Sequence, residues 1–584
     1  MVAMMEKILL VLFVVFRLAK SFDAGDTYID CVKTTQNPAS CSAYEDVGKN
    51  YRRFDGLCNN LKFPTIGAIN TPFRRVLSAN YVDRRQVDTP RGFPGTNPSN
   101  IPAANKVSIA AFTPQFVNAG NAGKLSTLFT TAGQFLDHDM AISLHGKCDI
   151  KNCSSDSAFK YPCFPIKFDD DTSECTPFTR AFAECQLYPE HRRTDRQQVN
   201  TLTAFVDGSQ IYGHNEARAR SLRRLDGTGK LKTRSGNLLP LKRLTTPCDL
   251  LEGCSMAGDI RADENIALHS MHTVWVREHN RVVTELKQNH HNWGEEKLYQ
   301  EARKIVSAEW QHVVFNEWVP RIVDLGSYGG YNSGLDPRII NAFSTAAFRF
   351  GHSLAPNAWS QLDNNFDVKF QKISLRESFF NIESINERGI EPTMFGLVGN
   401  QSNTVDDIFA FGLLRKLFVP PGEEGHMDLT ALNIQRGRDH GLPTYGKWRQ
   451  FCKLPAISSF RELEYHMPAR VAKKFSILFN SPADIDLFAA GISENHVPGF
   501  QTGPTFKCLF WHQFSRLRDG DRYYYLNPGV FTPEQQSELK KTSMSKVLCN
   551  NLKGIVSINK DAFVQTKEKR TPCNDILEPN LSVF

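Results

Sequence analysis

The chain has 584 residues, 41% of them hydrophobic, so it is long enough to bury a large core. Its 69 Lys and Arg residues are interspersed with 62 Asp and Glu residues, and the sequence contains no basic block of the kind that binds nucleic acid. The composition therefore predicts a folded globular protein without a nucleic-acid partner.

Residues 1–21 predict a signal peptide. Lys7 is followed by nine apolar residues, 8–16, and small residues near the end of the segment fit cleavage before Phe22. Nine residues are too few to cross a bilayer core of about 30 Å as a helix. A signal anchor is the alternative, supported by Arg17. No later segment is long and apolar enough to span a membrane, so we expect a secreted, extracellular protein without a transmembrane anchor.

The 14 cysteines agree with export, because an even number at short spacings in an exported protein predicts disulfides. A zinc site is the alternative, but the sequence has no CxxC pair and no HExxH motif. The spacings predict these pairs: Cys41 with Cys58, Cys248 with Cys254, Cys452 with Cys508, and Cys549 with Cys573. Residues 22–50 are expected to form a disulfide-containing extension. Sequons at Asn152, Asn400 and Asn580 are compatible with glycosylation.

Helical periodicity dominates the rest of the chain. Apolar residues recur at three- and four-residue steps in segments 126–140, 261–288 and 295–323, the last of which is ended by Pro320. Long alternating strands are scarce and no internal repeat is found. We expect a mainly α fold with little β-structure, stapled by disulfides, in one large domain over 51–584. The Pro- and Gly-rich loop at 90–105 is the only plausible internal boundary.

The segment GQFLDHDM, residues 133–140, places a histidine between two aspartates on a predicted helix. Residues three and four apart share a helix face, so Gln134, Asp137 and His138 point in one direction. Asp139 is turned by roughly 100° from His138 and must contact something else. A core histidine held by a neighbouring carboxylate is the structural alternative, and this segment alone favours it.

Three further motifs carry polar pairs three residues apart: Arg261 with Glu264 in GDIRADEN, Arg349 with His352 in AFRFGHSL, and Asn433 with Arg436 in ALNIQRGRD. Each has a structural alternative: a solvated first helical turn for the first pair, a satisfied core histidine for the second, and a polar turn for the third. Gly351 allows another group to approach the backbone beside His352.

Together and in this order, the four motifs resemble those of the animal haem peroxidase family. The resemblance extends from YRRFDGLCNN at 51–60 to Cys573. It implies a haem peroxidase domain over 51–584 that binds haem b and one Ca²⁺. It also implies an enzyme that uses hydrogen peroxide to oxidise small donors through a ferryl-haem intermediate.

The resemblance implies a role for each motif residue. His138, Arg261 and Gln134 match the distal catalytic residues, and His352 matches the proximal ligand of the haem iron. The other residues expected to bind haem are Asp137 and Glu264 through ester links, Asn433 as the partner of His352, Arg436 at a propionate, and Arg349. The expected calcium ligands are Asp139 and, from LTAFVDGSQIYG, Thr203, the Phe205 carbonyl, Asp207 and Ser209.

These residue types suit the reaction on chemical grounds. A neutral imidazole can take a proton from one peroxide oxygen and return it to the other. A fixed guanidinium stabilises the charge that develops on the leaving oxygen. A single histidine ligand leaves one face of the iron open, and a polar partner fixes the tautomer of that histidine. Hard oxygen ligands suit Ca²⁺, although VDGS alone is merely a polar turn.

Asn265 stands where some family members carry a methionine that bonds to haem. The substitution excludes a sulfonium link and counts against efficient chloride oxidation. The expected donors are therefore phenols, catechols, thiocyanate, iodide and bromide.

Two other functions compete with a peroxidase. An extracellular adhesion or matrix protein that uses the peroxidase fold as a scaffold is disfavoured, because no RGD or KGD tripeptide occurs and no distal or proximal residue is missing. A non-haem oxygenase or zinc hydrolase is disfavoured, because the sequence has nothing resembling a facial triad or an HExxH motif.

Overall fold

The computed structural model describes residues 31–38, 40–41, 51–82, 88–93, 101–116, 124–148, 150–154, 156–159, 161–168, 174–185, 195–242, 254–565 and 569–584. The predicted signal peptide and most of the predicted extension at 22–50 lie outside these residues. Helices dominate and strands are short, so the prediction of a mainly α fold with little β-structure is confirmed.

Eighteen α-helices occur in the described chain. They are α1 (Ala104–Ala111), α2 (Thr127–Met140), α3 (Ser209–Tyr212), α4 (Glu216–Leu222), α5 (Ile266–Asn289), α6 (Glu295–His312), α7 (Asn341–Thr345), α8 (Leu375–Ser378), α9 (Glu383–Arg388), α10 (Glu391–Gly399), α11 (Leu429–Asp439), α12 (Tyr445–Phe451), α13 (Phe460–Leu463), α14 (Ala469–Leu478), α15 (Leu487–Ser493), α16 (Pro504–Asp519), α17 (Pro533–Leu539) and α18 (Met544–Asn551).

The strands of the described chain form six two-stranded sheets. They are β1 (Cys31–Val32), β2 (Thr71–Pro72), β3 (Thr113–Gln115), β4 (Ile166–Lys167), β5 (Cys175–Thr176), β6 (Ala183–Glu184), β7 (Val199–Asn200), β8 (Ala358–Leu362), β9 (Val368–Ser374), β10 (Ile408–Ala410), β11 (Ser557–Ile558) and β12 (Thr571–Pro572). Pairs β1–β6 and β3–β10 are parallel, and the other four are antiparallel.

The centre of the molecule is built around α5, which packs against α2, α6 and α10. Met271, Val274 and Val282 of α5 are all 0% exposed, because apolar residues at helical spacing face these neighbours on several sides. Helix α10 also packs on β8. A Cβ at Gly396 would lie 1.9 Å from the carbonyl oxygen of Ser360, so only glycine permits this close contact. Helix α5 begins at Ile266, directly after the segment that carries Arg261 and Glu264, and so connects this segment to the core.

Two of the three predicted helices are confirmed as α2 and α5. The third differs from the prediction, because the α-helix ends at His312 and continues as a π-helical turn, Val313–Trp318, and a 3₁₀ turn, Val319–Arg321. Pro320 has no N–H with which to continue an α-helix. The loop predicted at 90–105 is also shorter than expected, since α1 begins at Ala104; residues 94–100 lie outside the described chain.

Disulfides connect distant parts of the described chain. Three predicted pairs are confirmed: Cys41 with Cys58, Cys452 with Cys508, and Cys549 with Cys573. The predicted partner of Cys254, Cys248, lies outside the described residues. Three pairs that spacing did not predict are Cys31 with Cys185, Cys148 with Cys163, and Cys153 with Cys175. Cys31 and Cys185 are 154 residues apart, a distance that only the fold can close.

A search of the described helices finds none with the length and apolar character needed to cross a membrane.

Candidate active site

Helix α2 carries the histidine that lies between two aspartates. Its apolar side is fixed in the core by residues such as Phe135, which is 0% exposed. Gln134 is half-buried, and Asp137 and His138 are buried on the face predicted from the sequence. Asp139 is fully buried and contacts a different part of the chain, as the helical geometry requires.

His138 lies next to a charge pair formed by Arg261 and Asp259. The Nδ1 atom of His138 is 3.5 Å from a carboxylate oxygen of Asp259 and has no hydrogen-bond partner among the described residues. Burial lowers the pKa of His138 well below its usual value, and the positive charge of Arg261 lowers the pKa further. The imidazole is therefore neutral near pH 7, the form in which it can accept a proton.

Asp259 holds Arg261 in place through three hydrogen bonds. Its carboxylate accepts from the backbone N of Arg261 at 2.8 Å, from Nε at 2.9 Å and from Nη2 at 2.9 Å. Burial alone would raise the pKa of Asp259, but the charge and hydrogen bonds of Arg261 outweigh burial and hold that pKa below its usual range. Asp259 is not among the site residues predicted from the sequence, although its carboxylate lies only two residues before the predicted catalytic arginine.

Gln134 and Glu264 meet at the start of α5. The Nε2 of Gln134 donates to Oε1 of Glu264 at 3.0 Å. Burial raises the pKa of Glu264 to about 7. The structure therefore brings together two residues that the sequence placed far apart in the chain.

His352 ends a 3₁₀ turn, Ala347–His352. Its Nδ1 lies 2.9 Å from the side-chain amide nitrogen of Asn433 in α11. Burial, followed by the charge of Arg349, lowers the pKa of His352 to about 3, so its ring is neutral. A neutral imidazole with one nitrogen against a polar partner is suited to bind a metal through its other nitrogen.

Asp137 connects the two histidine-bearing segments. One of its carboxylate oxygens lies 3.8 Å from Nη1 of Arg261 and 4.0 Å from Nη1 of Arg349. Burial raises the pKa of Asp137, whereas these two cations oppose that rise. Since Arg349 precedes His352 by one helical turn, this contact brings the segment of His138 and the segment of His352 to one site.

Arg436 lies one turn after Asn433 on α11 and is half-buried. Its Nη1 donates to the carbonyl oxygen of Thr179 at 2.9 Å and to Asp439 at 3.0 Å, and its guanidinium lies over the ring of Phe178. The side chain is thus fixed on the face of α11 that also carries Asn433.

Asp139 binds the loop that the sequence analysis assigned to calcium. Its carboxylate accepts from the backbone N of Ser209 at 2.7 Å and from the indole N–H of Trp310 at 3.1 Å. The hydroxyl of Ser209 donates to the Asp139 carbonyl oxygen at 2.8 Å. This part of the loop is therefore fixed to α2 one residue away from His138.

The remaining members of the predicted calcium set are also gathered here. The hydroxyl of Thr203 donates to the carboxylate of Asp207 at 3.0 Å. Phe205, which lies between these two residues in the sequence, is buried. Burial, followed by the charge of Asp207, raises the pKa of Asp139 well above its usual value. Within the described chain, no three His, Cys, Asp or Glu side chains cluster as a metal site. The predicted calcium set itself contains only two carboxylates, those of Asp139 and Asp207.

The residues at the site fit a haem. A Cβ built on Gly351 would meet no described atom within 4 Å, so there is open space beside His352. Asp137 also supplies a carboxylate 4.0 Å from Arg349 of the His352 segment, and Glu264 supplies one beside Gln134.

Comparisons with known proteins agree with this geometry. The sequence model of the family described as animal haem peroxidase matches residues 51–563. The peroxidasin homolog of Homo sapiens is 36% identical over 585 residues, which cover 90% of this chain and 39% of the relative. Myeloperoxidase of Mus musculus is 34% identical over 612 residues, which cover 96% of this chain and 84% of the relative. The chain thus spans 39% to 40% of the length of the two mammalian peroxidasin homologs it matches.

Peroxidase A from Dictyostelium discoideum is similar in three dimensions, with a TM-score of 0.75 and 28% sequence identity. The match covers 88% of this chain and 99% of that one. The family match over most of the chain, the relatives and the shared fold lead to one conclusion: this chain belongs to the animal haem peroxidase family.

Proposed function

We propose that the protein is a secreted haem peroxidase that uses hydrogen peroxide to oxidise small donors. One observation carries the proposal, the meeting of two histidines at one site. The buried neutral His138 lies beside the fixed guanidinium of Arg261 and its partner Asp259. The Asp137–Arg349 contact joins His352 and its partner Asn433 to the same site. Such a pair of histidines with different surroundings suits a base on one side of a haem and an iron ligand on the other.

Each residue has a distinct task in this proposal. His138 takes a proton from one oxygen of hydrogen peroxide and returns it to the departing oxygen. Arg261, held by Asp259, stabilises the negative charge on that departing oxygen. His352 would hold the iron through Nε2. This requires a proton on Nδ1 and an Asn433 amide turned end for end from its orientation in the structure, where Nδ2 faces Nδ1 at 2.9 Å. Bound haem supplies the redox chemistry.

We also assign supporting roles to the other predicted residues. Asp137 and Glu264 are proposed as the sites of ester links to haem, and Arg436 and Arg349 as residues that bind it. One Ca²⁺ is proposed at Asp139 and the loop 203–209, because the two buried carboxylates of Asp139 and Asp207 lie beside the hydroxyl oxygens of Ser209 and Thr203. The domain is proposed to cover 51–584, after a signal peptide at 1–21 and an extension at 22–50.

The proposed donors are phenols, catechols, thiocyanate, iodide and bromide. Asn265 carries no thioether, so a sulfonium link to haem at this position is excluded. An extracellular adhesion or matrix protein with the same fold is the alternative, and peroxide-dependent turnover of guaiacol separates the two.

The test begins with the full chain expressed in the presence of hemin. We expect a Soret band and peroxide-dependent oxidation of guaiacol, followed by a donor panel of catechols, tyrosine, thiocyanate, iodide, bromide and chloride. A protein that stays colourless, or that binds haem without turnover of any donor, contradicts the proposal.

His138→Ala tests the proposed base. We expect haem to remain bound and the reaction with peroxide, followed by stopped-flow absorbance, to slow by about 100-fold or more, the usual contribution of a general acid–base catalyst. His291→Ala, on an exposed residue after α5, is the matched control and should react as the wild type does. An unchanged rate in His138→Ala would refute the assignment.

A further inference from the structure

We infer that Asn265 is a positioning residue that determines which end of the Gln134 amide faces Glu264 and the pocket; this inference rests on the proposed function. Asn265 is 5% exposed and is the N-cap of α5. Its Oδ1 accepts from the backbone N of Leu268 at 2.9 Å, and its Nδ2 donates to Oε1 of Gln134 at 3.1 Å. The Nε2 of Gln134 in turn donates to Oε1 of Glu264 at 3.0 Å.

The direction of this three-bond chain is set by its first member. A backbone N–H can only donate, so Leu268 requires the oxygen of the Asn265 amide. Asn265 must then turn its NH₂ group toward Gln134, and the side-chain oxygen of Gln134 must accept that hydrogen bond. The NH₂ group of Gln134 is left to face the carboxylate of Glu264, which is an acceptor when ionised. The helix terminus therefore fixes the orientation of an amide on α2.

This orientation has two chemical consequences. The Nε2 of Gln134 carries two hydrogens, and Glu264 uses one, so the second is available to a peroxide or anion bound in the pocket. The bond also occupies Oε1 of Glu264, whereas Oε2 makes no hydrogen bond within the described chain and is available for the proposed link to haem. Asn265 thus acts on both through Gln134, without contact of its own with the reacting atoms.

A purely structural role is the competing explanation, because an N-cap alone stabilises a helix. Asn265→Ser separates the two roles. Serine caps a helix about as well as asparagine, but it has no amide group to donate to Gln134. Asn265→Ala removes both functions and is the matched comparison.

The readouts are the melting temperature and the affinity of the ferric holoenzyme for fluoride, measured by titration of the Soret band. We expect Asn265→Ser to keep the melting temperature of the wild type and to bind fluoride about 3- to 10-fold more weakly, the size expected for one misaligned hydrogen bond. Asn265→Ala should bind fluoride equally weakly and should also melt at a lower temperature.

A double variant makes the test specific to Gln134. If Asn265 acts through this amide, Asn265→Ser should not change fluoride affinity in a Gln134→Ala background. The inference is overturned if Asn265→Ser binds fluoride with wild-type affinity, or if Asn265→Ser weakens fluoride binding as much in the Gln134→Ala background as in the wild type. In either case, a protein that still binds haem and oxidises guaiacol leaves the proposed function intact. A wild-type protein without haem overturns the proposed function and the inference together.

Discussion

Asp259 illustrates how single carboxylates organise the distal side of the site. It accepts three hydrogen bonds from Arg261 and lies 3.5 Å from His138, so one side chain borders both of the groups proposed to act on peroxide. Packing alone leaves an arginine side chain several rotamers, whereas a two-pronged contact with a carboxylate selects one. The position of the Asp259 carboxylate therefore determines the orientation of the Arg261 guanidinium.

Asp259→Asn should slow the reaction with peroxide by about 10- to 100-fold, as is typical when a residue that orients a functional group is replaced. The asparagine keeps the shape of the side chain but removes its charge, so Arg261 loses its fixed partner. Stopped-flow absorbance of the haem-loaded variant measures the effect. Asp263→Asn is the matched control, because Asp263 is equally buried and pairs with His269. Equal rates in the two variants would show that Asp259 does not orient Arg261.

Haem attachment is predicted to depend on two carboxylates. With Asp137→Ala and Glu264→Ala combined, we expect haem to pass into the organic phase on acid–organic extraction, because neither proposed ester can form. The wild-type protein should retain its haem, and each single variant should retain it through the remaining link. Retention by the double variant would mean that the attachment lies at other residues.

At the scale of elements, the site depends on the clamp between α2 and the loop 203–209. Asp139 reaches away from His138 and binds the loop, while Ser307 of α6 donates to the carbonyl oxygen of Asp207 at 2.8 Å. The loop therefore connects α2 to α6. A cation between Asp139 and Asp207 would remove the repulsion between two buried carboxylates.

Calcium removal should consequently weaken the clamp. A ligand present at 100 times its dissociation constant stabilises the folded state by about 2.7 kcal/mol, so chelation should lower the melting temperature and slow the peroxide reaction. Differential scanning calorimetry with and without EGTA measures this effect. Asp207→Asn should respond less to EGTA than the wild type, whereas Asp226→Asn, in an exposed turn, should respond as the wild type does. A melting temperature indifferent to EGTA in the wild type would exclude the calcium site.

In the whole molecule, disulfides join segments that are far apart in the sequence. Cys452 follows α12 and Cys508 lies in α16, and the pair closes a loop of 56 residues. Cys31 is joined to Cys185, so the start of the described chain is tied to β6. These links add stability mainly by restricting the unfolded chain.

Replacing both Cys452 and Cys508 by serine should lower the free energy of unfolding by about 4 kcal/mol according to the loop-length relation. The shorter loop closed by Cys549 and Cys573, of 24 residues, should cost roughly 1 kcal/mol less when opened in the same way. Melting temperatures of the two double variants, recorded at one scan rate, test the order. Equal melting temperatures for the wild type and the Cys452–Cys508 variant would contradict the prediction.

Features that depend on neighbouring residues could be predicted from the amino-acid sequence. Periodicity predicted α2 and α5, and spacing along a helix predicted that Asp139 faces away from His138. Cysteine spacing predicted three of the disulfides. The residues of the candidate site could be predicted from the family motifs, because each motif consists of a few consecutive residues that are visible in the sequence.

The contacts between residues distant in sequence could be seen only in the folded structure. It brought Arg349 to Asp137, joined Cys31 to Cys185, and placed Asp259 beside His138. It also ended α6 in a π-helical turn. Hydrophobic periodicity and turn chemistry act over one or two helical turns, whereas contacts between distant segments arise only when the helices pack around a shared core.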